Sequence, residues 1–369
     1  MKQGMREEAP LTGLKVIEIQ GLGPTPFAAM WLADMGADVV RIQRPNLKPL
    51  IPQKVDVLNR ARGFVELDLK AKADCATAHD LINRADMLIE GMRPGVMERL
   101  GLGPEDFPDN PALVYGRMTG WGQSGPLAHT AGHDINYIAI SGALHAIGGN
   151  HPVPPLNLLG DFGGGGMYLV AGMLAALHAA KTTGRGRVVD AAISDGTAHL
   201  MAMIYSLYGS GIWVDTREAN LLDGGAPFYA VYECACGGHM TVGALEPKFY
   251  AEFLEGIGLA GTGLPAQQDV EGWPTLRAAF AARFKEKTRD DWADIFEGTD
   301  ACCAPVLSLA EAPSHPHNVA RGSFATCGGI AQPAPAPHIS GATLSADPGD
   351  EQTPQDVSAV LNRWTGSVK

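Results

Sequence analysis

Residues 15–19 (KVIEI), the loop GLGPTP, an amphipathic run at 27–36 and residues 37–42 (ADVVRI) read as strand, loop, helix and strand. A helical crossover of this kind joins two parallel strands, which makes the unit the seed of a parallel sheet. Strand-like runs recur at 64–69, 86–90, 113–118 and 188–192, with a helix-like stretch at 73–84. The expected fold class is therefore α/β, with a Rossmann-like parallel-sheet large domain. The first loop departs from the dinucleotide fingerprint. Gly21 and Gly23 are in place, but Pro26 stands where the third glycine belongs, and Pro24 and Pro26 bring no N–H donors to a pyrophosphate. No nicotinamide nucleotide is expected there.

With 369 residues the chain exceeds one ordinary core, and two domains are expected. Residues 209–227 are glycine-rich and polar and read as a linker. Beyond them, alternating runs around CACGG read as a β-hairpin, followed by helical stretches at 247–256, 273–285 and 290–297. The tail from about 330 is rich in Pro, Ala and Ser and reads as an arm or linker rather than core. No 18-residue window is uninterruptedly apolar, so no membrane partner is expected. The first residues lack the apolar segment of a secretory leader, which points to the cytoplasm. Cys75, Cys234, Cys236, Cys302, Cys303 and Cys327 form no CxxC pair. They are expected to be free thiols in a reducing compartment, with no metal site.

The net charge of −12 argues against nucleic acid as a partner. The charge is unevenly spread. Residues 1–100 hold 14 Lys/Arg against 13 Asp/Glu, and the remainder 14 against 27. Basic groups following successive parallel strands can converge on phosphates, because ligands sit beyond the carboxyl ends of such strands. Arg41 and Arg62 fit this role or that of surface residues equally well.

Candidate chemistry concentrates in residues 131–166. AGHDINYIAISG (131–142) offers His133 beside Asp134, and PPLNLLGDFGGGG (154–166) offers Asp161 before four glycines and the apolar run 167–180. Two readings are open. GDFGGGG is a tight turn with a capped helix and His133 a core histidine, or the two side chains are proton donors and acceptors facing one carbon. In the second reading the N–H groups of Asp161, Phe162 and Gly163, near a helix start, form an oxyanion hole. Glu246, in VGALEPKFY, stands before a helix and by itself is a plain N-terminal acid. Most of the 13 methionines read as core packing.

Several segments resemble one known family: GLKVIEIQGLGPTPFAAMWLADMGADVVRIQRP (13–45), GMRPGVMERLGLGPEDF (91–107), MTGWGQSGP (118–126), AGHDINY (131–137), NLLGDFGGGGM (157–167) and LDGGAPFYAVYECACGGHMTVGALEPKFY (222–250). They resemble the α-methylacyl-CoA racemases of the family III CoA-transferase superfamily, from about residue 11 to about residue 325. The resemblance implies a large CoA-binding domain at 1–195 completed by a C-terminal arm at 330–369. It implies a linker helix and loop at 196–224, a small α+β domain at 225–329, and an interlocked homodimer.

It further implies an isomerase that interconverts (R)- and (S)-2-methylacyl-CoA thioesters through an enolate, with no cofactor beyond the CoA of the substrate. His133 and Asp161 are then the proton-transfer pair. Glu246 orients His133, Asn157 positions Asp161, and Tyr137 borders the thioester pocket. Arg44, Lys70, Arg93 and Arg99 hold the CoA. Two rivals remain: a family III CoA-transferase with Asp161 as nucleophile, and a non-catalytic acyl-CoA-binding protein. His133 within GHDINY speaks for the racemase, which needs two proton-transfer groups where a transferase needs one carboxylate.

Overall fold

The computed structural model describes residues 9–48, 51–344 and 354–365. The chain divides into two compact units. One comprises Met1–Gly142, Pro155–Met201 and Pro316–Lys369; the other comprises Ala143–Pro154 and Ala202–His315.

The first unit is built on a six-stranded sheet. Its strands are β1 (Lys15–Ile19), β2 (Asp38–Gln43), β3 (Gly63–Glu66), β4 (Met87–Glu90), β5 (Val114–Thr119) and β6 (Val188–Ala192). All pairs are parallel, in the order β3-β2-β1-β4-β5-β6, with Ile17 opposite both Val40 and Leu88. This is the expected α/β class. Most of these strands are short apolar runs because both faces of the sheet are covered. On one face Val16, Val39 and Met87 pack against α1 (Pro24–Asp34) and, later in the chain, against the helix that carries Leu169 and Met173. On the other face Ile17, Val40 and Leu88 pack against Leu81 and Ile82 of α2 (Lys72–Asn83). The order reverses between β1 and β4, so a crevice is expected beyond the carboxyl ends of these two strands.

Two expectations for this unit are corrected. The C-terminal helix Val357–Thr365 buries Val360 and Trp364 in the core, so part of the tail is core. Trp364 Nε1 donates to Asp38 Oδ2 at 2.6 Å and Arg363 grips the same carboxylate at 2.7 and 2.8 Å. Arg41 and Arg62 are not surface residues. Arg62 is fully buried against Glu18 at 3.1 Å, and Arg41 lies over the Phe64 ring at 5.5 Å. Arg60 is likewise buried, bonded to both oxygens of Asp34 at 3.0 and 2.5 Å. The NRARG segment therefore serves packing through buried ion pairs. These are costly to break, because removing one partner strands the other charge.

Four helical segments of this unit frame residues 131–200. They are α3 (Asp134–Ile140), a π-helical segment (Leu158–Met167), α4 (Tyr168–Thr183), continuous with it, and α5 (Ile193–Leu200). After β6 the chain forms two helices, α5 and Ala202–Gly209, interrupted at Met201. By length and composition the continuous stretch Leu158–Thr183 could cross a membrane, with a mean hydropathy of 1.3. Within it Leu169, Val170, Met173 and Leu177 are core residues of the sheet unit, while Leu158 and Met167 are exposed.

The second unit holds an antiparallel hairpin, β7 (Tyr229–Glu233) and β8 (His239–Gly243), where alternation placed one. A third strand, β9 (Cys303–Pro305), adds to β8. Helices α6 (Pro247–Gly256), α7 (Trp273–Phe284) and α8 (Arg289–Phe296) enclose an aromatic core with Phe253, Phe280, Phe284 and Trp292. Phe253 meets Phe280 edge to face at 5.0 Å.

Candidate active site

The turn after β1 forms one wall of the site. Gly23 there has φ 62° and ψ −108°, a conformation reserved for glycine. A Cβ on Gly23 would stand 3.0 Å from Asp161 Oδ2, so the Asp161 carboxyl lies against this turn. The turn's glycines permit close approach rather than phosphate binding. At Gly91, after β4, a Cβ would stand 2.7 Å from Thr25 Oγ1. Asp161 thus sits beyond the carboxyl ends of the central strands, where the reversal of strand order opens the sheet.

The glycine run after Asp161 lies inside the π-helical segment rather than in a loop before a helix. Glycine is about 1 kcal/mol worse than alanine at a helical position, so four in a row require a packing reason. The neighbours supply it. A Cβ on Gly164 would stand 2.6 Å from Thr197 Oγ1, one on Gly165 2.9 Å from Ile193 Cγ1, and one on Gly166 2.7 Å from Phe27 Cδ1. Two helices, α1 and α5, press directly on the backbone, and Phe162 stacks on Phe27 with ring centroids 4.6 Å apart. Wide π-turns recur at functional sites; this one fixes the first-turn residue Asp161 between rigid elements.

Asp161 is held from several sides. Its N–H donates to Asp134 Oδ1 at 2.6 Å, and Asn157 Nδ2 lies 3.4 Å from its Oδ2. Burial raises the proton affinity of the Asp161 carboxyl, and the Asp134 charge adds to this. The Asn157 hydrogen bond and nearby His133 oppose it. His133 occupies the N-cap position of α3 without a side-chain capping bond and is exposed, with its backbone N–H donating to Asn136 Oδ1 at 3.0 Å. The structure therefore joins Asp161 to Asn157 and leaves His133 within electrostatic reach of the same carboxyl. Asp134 joins them, a role the sequence did not suggest.

The N–H groups expected to form an oxyanion hole are engaged: Asp161 with Asp134, and Phe162 with Asn157 O at a long 3.3 Å. Gly163 lies one residue further into the π-helical segment. Tyr137 is buried in the site wall. Its hydroxyl donates to Gly132 O, and its ring meets Trp121 edge-on at 4.7 Å. Burial, with Asp161 second, raises its phenol.

The basic residues separate into two groups. Lys70 and Arg99 line one groove of about 370 Å³, together with Lys72, Cys75 and His79. Lys72 lies on α2, two residues beyond Lys70, and the sequence reading passed over it. Arg44 and Arg93 are exposed after β2 and β4 and do not line this groove. Glu246 belongs to the second unit, where it is exposed at the N-cap position of α6 without a side-chain capping bond. Burial raises the Cys302 thiol in the same unit, and Glu246 is the next cause.

The sequence profile of CoA-transferase family III matches residues 11–354. Two curated relatives are α-methylacyl-CoA racemases. The Mus musculus protein is 46% identical, covering 89% of this chain and 86% of its own length. The Homo sapiens protein is also 46% identical, covering 86% and 82%. Among solved structures, a CaiB/BaiF family protein from Brucella suis superposes with a TM-score of 0.80 at 22% identity, over 97% of this chain and all of that one. That likeness speaks to the fold.

Proposed function

The chain belongs to CoA-transferase family III, and we propose that it is a racemase interconverting (R)- and (S)-2-methylacyl-CoA thioesters. One observation favours this over thioester exchange: burial raises the proton affinity of the Asp161 carboxyl, which lies within electrostatic reach of His133. A nucleophilic carboxylate must be ionised to attack, whereas a group that gives a proton to an enolate must hold one.

In the proposed reaction neutral His133 removes the α-proton from one face and protonated Asp161 returns one to the other. The roles exchange for the opposite enantiomer. The thioester oxygen gains negative charge and is met by N–H groups at Phe162, whose present bond to Asn157 O is a long 3.3 Å, and Gly163, while the Asp161 N–H stays with Asp134. Asn157 positions the Asp161 carboxyl. Tyr137 closes the thioester end. CoA phosphates lie with Lys70 and Arg99, assisted by Arg44 and Arg93. The reaction needs no cofactor beyond the CoA of its substrate.

A homodimer with interlocked subunits, located in the cytoplasm, completes the reading. In support, large apolar side chains are exposed in each unit: Leu158, Met167 and Leu200 in one, and Met203, Tyr208 and Ile212 in the other. All six cysteines are free thiols.

The test offers the protein one enantiomer of a 2-methylacyl-CoA, with and without an added carboxylic acid. Inversion that does not depend on the acid is the expected result. Transfer of CoA to the acid without inversion would assign the protein to the transferases. CoA binding with neither reaction would leave a binding protein.

A further inference from the structure

We propose that Asp134 is the positioning residue of the site: its carboxylate fixes the backbone of Asp161 and stands as a negative charge beside the Asp161 side chain, so that Asp161 and His133 share one proton. The inference rests on reading those two residues as the proton-transfer pair.

The contact is specific. Asp134 Oδ1 accepts the N–H of Asp161 at 2.6 Å, joining residues 27 apart in sequence. It requires the glycine that precedes Asp161, because a Cβ on Gly160 would stand 2.2 Å from that oxygen. Asp134 is 7% exposed, and its Oδ2 has no hydrogen-bond partner among the described residues. A buried, half-satisfied carboxylate is expensive. Asparagine would make the same bond to the Asp161 N–H without burying a charge. A purely structural strut therefore gains nothing from the aspartate, whereas a site that must keep a neighbouring carboxyl protonated does.

The groups acting on Asp161 can be named element by element. The loop before α3 brings His133, and α3 itself brings Asp134 and Tyr137. The segment ahead of the π-turn brings the neutral donor Asn157. The β1–α1 turn brings Gly23, and α5 brings Thr197 against Gly164, neither of them charged. Asp134 is the anion of the set. Its charge raises the proton affinity of Asp161, against Asn157 and His133.

A pair sharing one proton has an active window. The window is bounded on the acidic side by uptake of a second proton, a step that belongs to the pair, and a neighbouring negative charge favours that uptake. Removing the Asp134 charge must move that limb to lower pH.

The test measures kcat/KM against pH for racemisation of one enantiomer of a 2-methylacyl-CoA by the full-length protein, alongside Asp134→Asn and Asp134→Ala. For Asp134→Asn, which keeps an acceptor for the Asp161 N–H, the acidic limb shifts to lower pH. For Asp134→Ala, activity falls by roughly a further tenfold at every pH, the equivalent of one lost hydrogen bond. An Asp134→Asn profile that superposes on the wild type overturns the proposal. So does an equal, unshifted loss in both variants, which would mark a merely structural contact. A wild type that never inverts its substrate removes the reading of the pair and this inference with it. An active wild type with an unshifted Asp134→Asn profile removes the inference alone.

Discussion

Gly23 and Asp161 are fitted to each other: the space a Gly23 Cβ would need ends 3.0 Å from Asp161 Oδ2. The turn after β1 thereby limits where the carboxyl can stand. Its backbone, at φ 62° and ψ −108°, also excludes a side chain on conformational grounds. Gly23→Ala is expected to lower kcat at least roughly tenfold, because small displacements of a reacting group are costly in rate. The affinity for free CoA, measured by calorimetry, should stay unchanged. A variant with wild-type kcat would show that the carboxyl is positioned from elsewhere.

Glu90, at the carboxyl end of β4, is 2% exposed and its carboxyl is pushed up to about 7, first by burial. It retains the Met92 N–H at 2.6 Å and faces Arg117 at 3.8 Å. A carboxyl whose folded-state value is raised binds protons more tightly in the folded chain than in the unfolded one. Its contribution to stability is greatest below the unfolded value near 4.5 and is lost as pH rises through about 7. Glu90→Gln should therefore gain stability relative to the wild type as pH rises from 5 to 8, by an amount on the order of 3 kcal/mol. Urea denaturation at the two pH values measures this. A pH-independent difference would contradict it.

Most sheet strands were legible because buried parallel strands are short apolar runs, and KVIEI and DMLIE are of that kind. The hairpin at β7 and β8 was legible from alternation. Other features were hidden for physical reasons. The C-terminal helix has Val357, Val360, Leu361 and Trp364 at helical spacing, but this short signal lies in a tail whose composition reads as linker. Arg41, Arg60 and Arg62 look like solvent or phosphate residues in any sequence. The burial of Arg60 and Arg62 depends on Asp34 and Glu18, and that of Arg41 on the Phe64 ring, which only the fold brings near. At the site, the residue types and order pointed to His133 and Asp161, and the family resemblance added Asn157. The Asp134 bond and the π-turn could not be read, because both depend on helices pressing on glycines from distant parts of the chain.

That pressure is itself testable. At Gly196 a Cβ would lie 1.9 Å from Gly164 O, so α5 and the π-helical segment meet backbone to backbone. Gly196→Ala should destabilise the chain by about 1–3 kcal/mol or more through overpacking. By shifting the π-turn it should also lower racemisation more than stability alone explains. Thermal melts and initial rates below the transition, on one preparation, separate the two effects. A variant of wild-type stability and rate would show that this contact is loose.

The central claim is that two residues serve opposite faces of one carbon. The most direct measurement incubates one enantiomer of a 2-methylacyl-CoA in deuterated water and follows the α-hydrogen by NMR together with optical activity, for the wild type, His133→Ala and Asp161→Ala. The account predicts inversion with deuterium at the α-carbon of the wild-type product. It predicts a loss of inversion in each variant of roughly a hundredfold or more, the size expected for one acid–base group. Inversion that survives either substitution, or inversion without deuterium uptake, would contradict it.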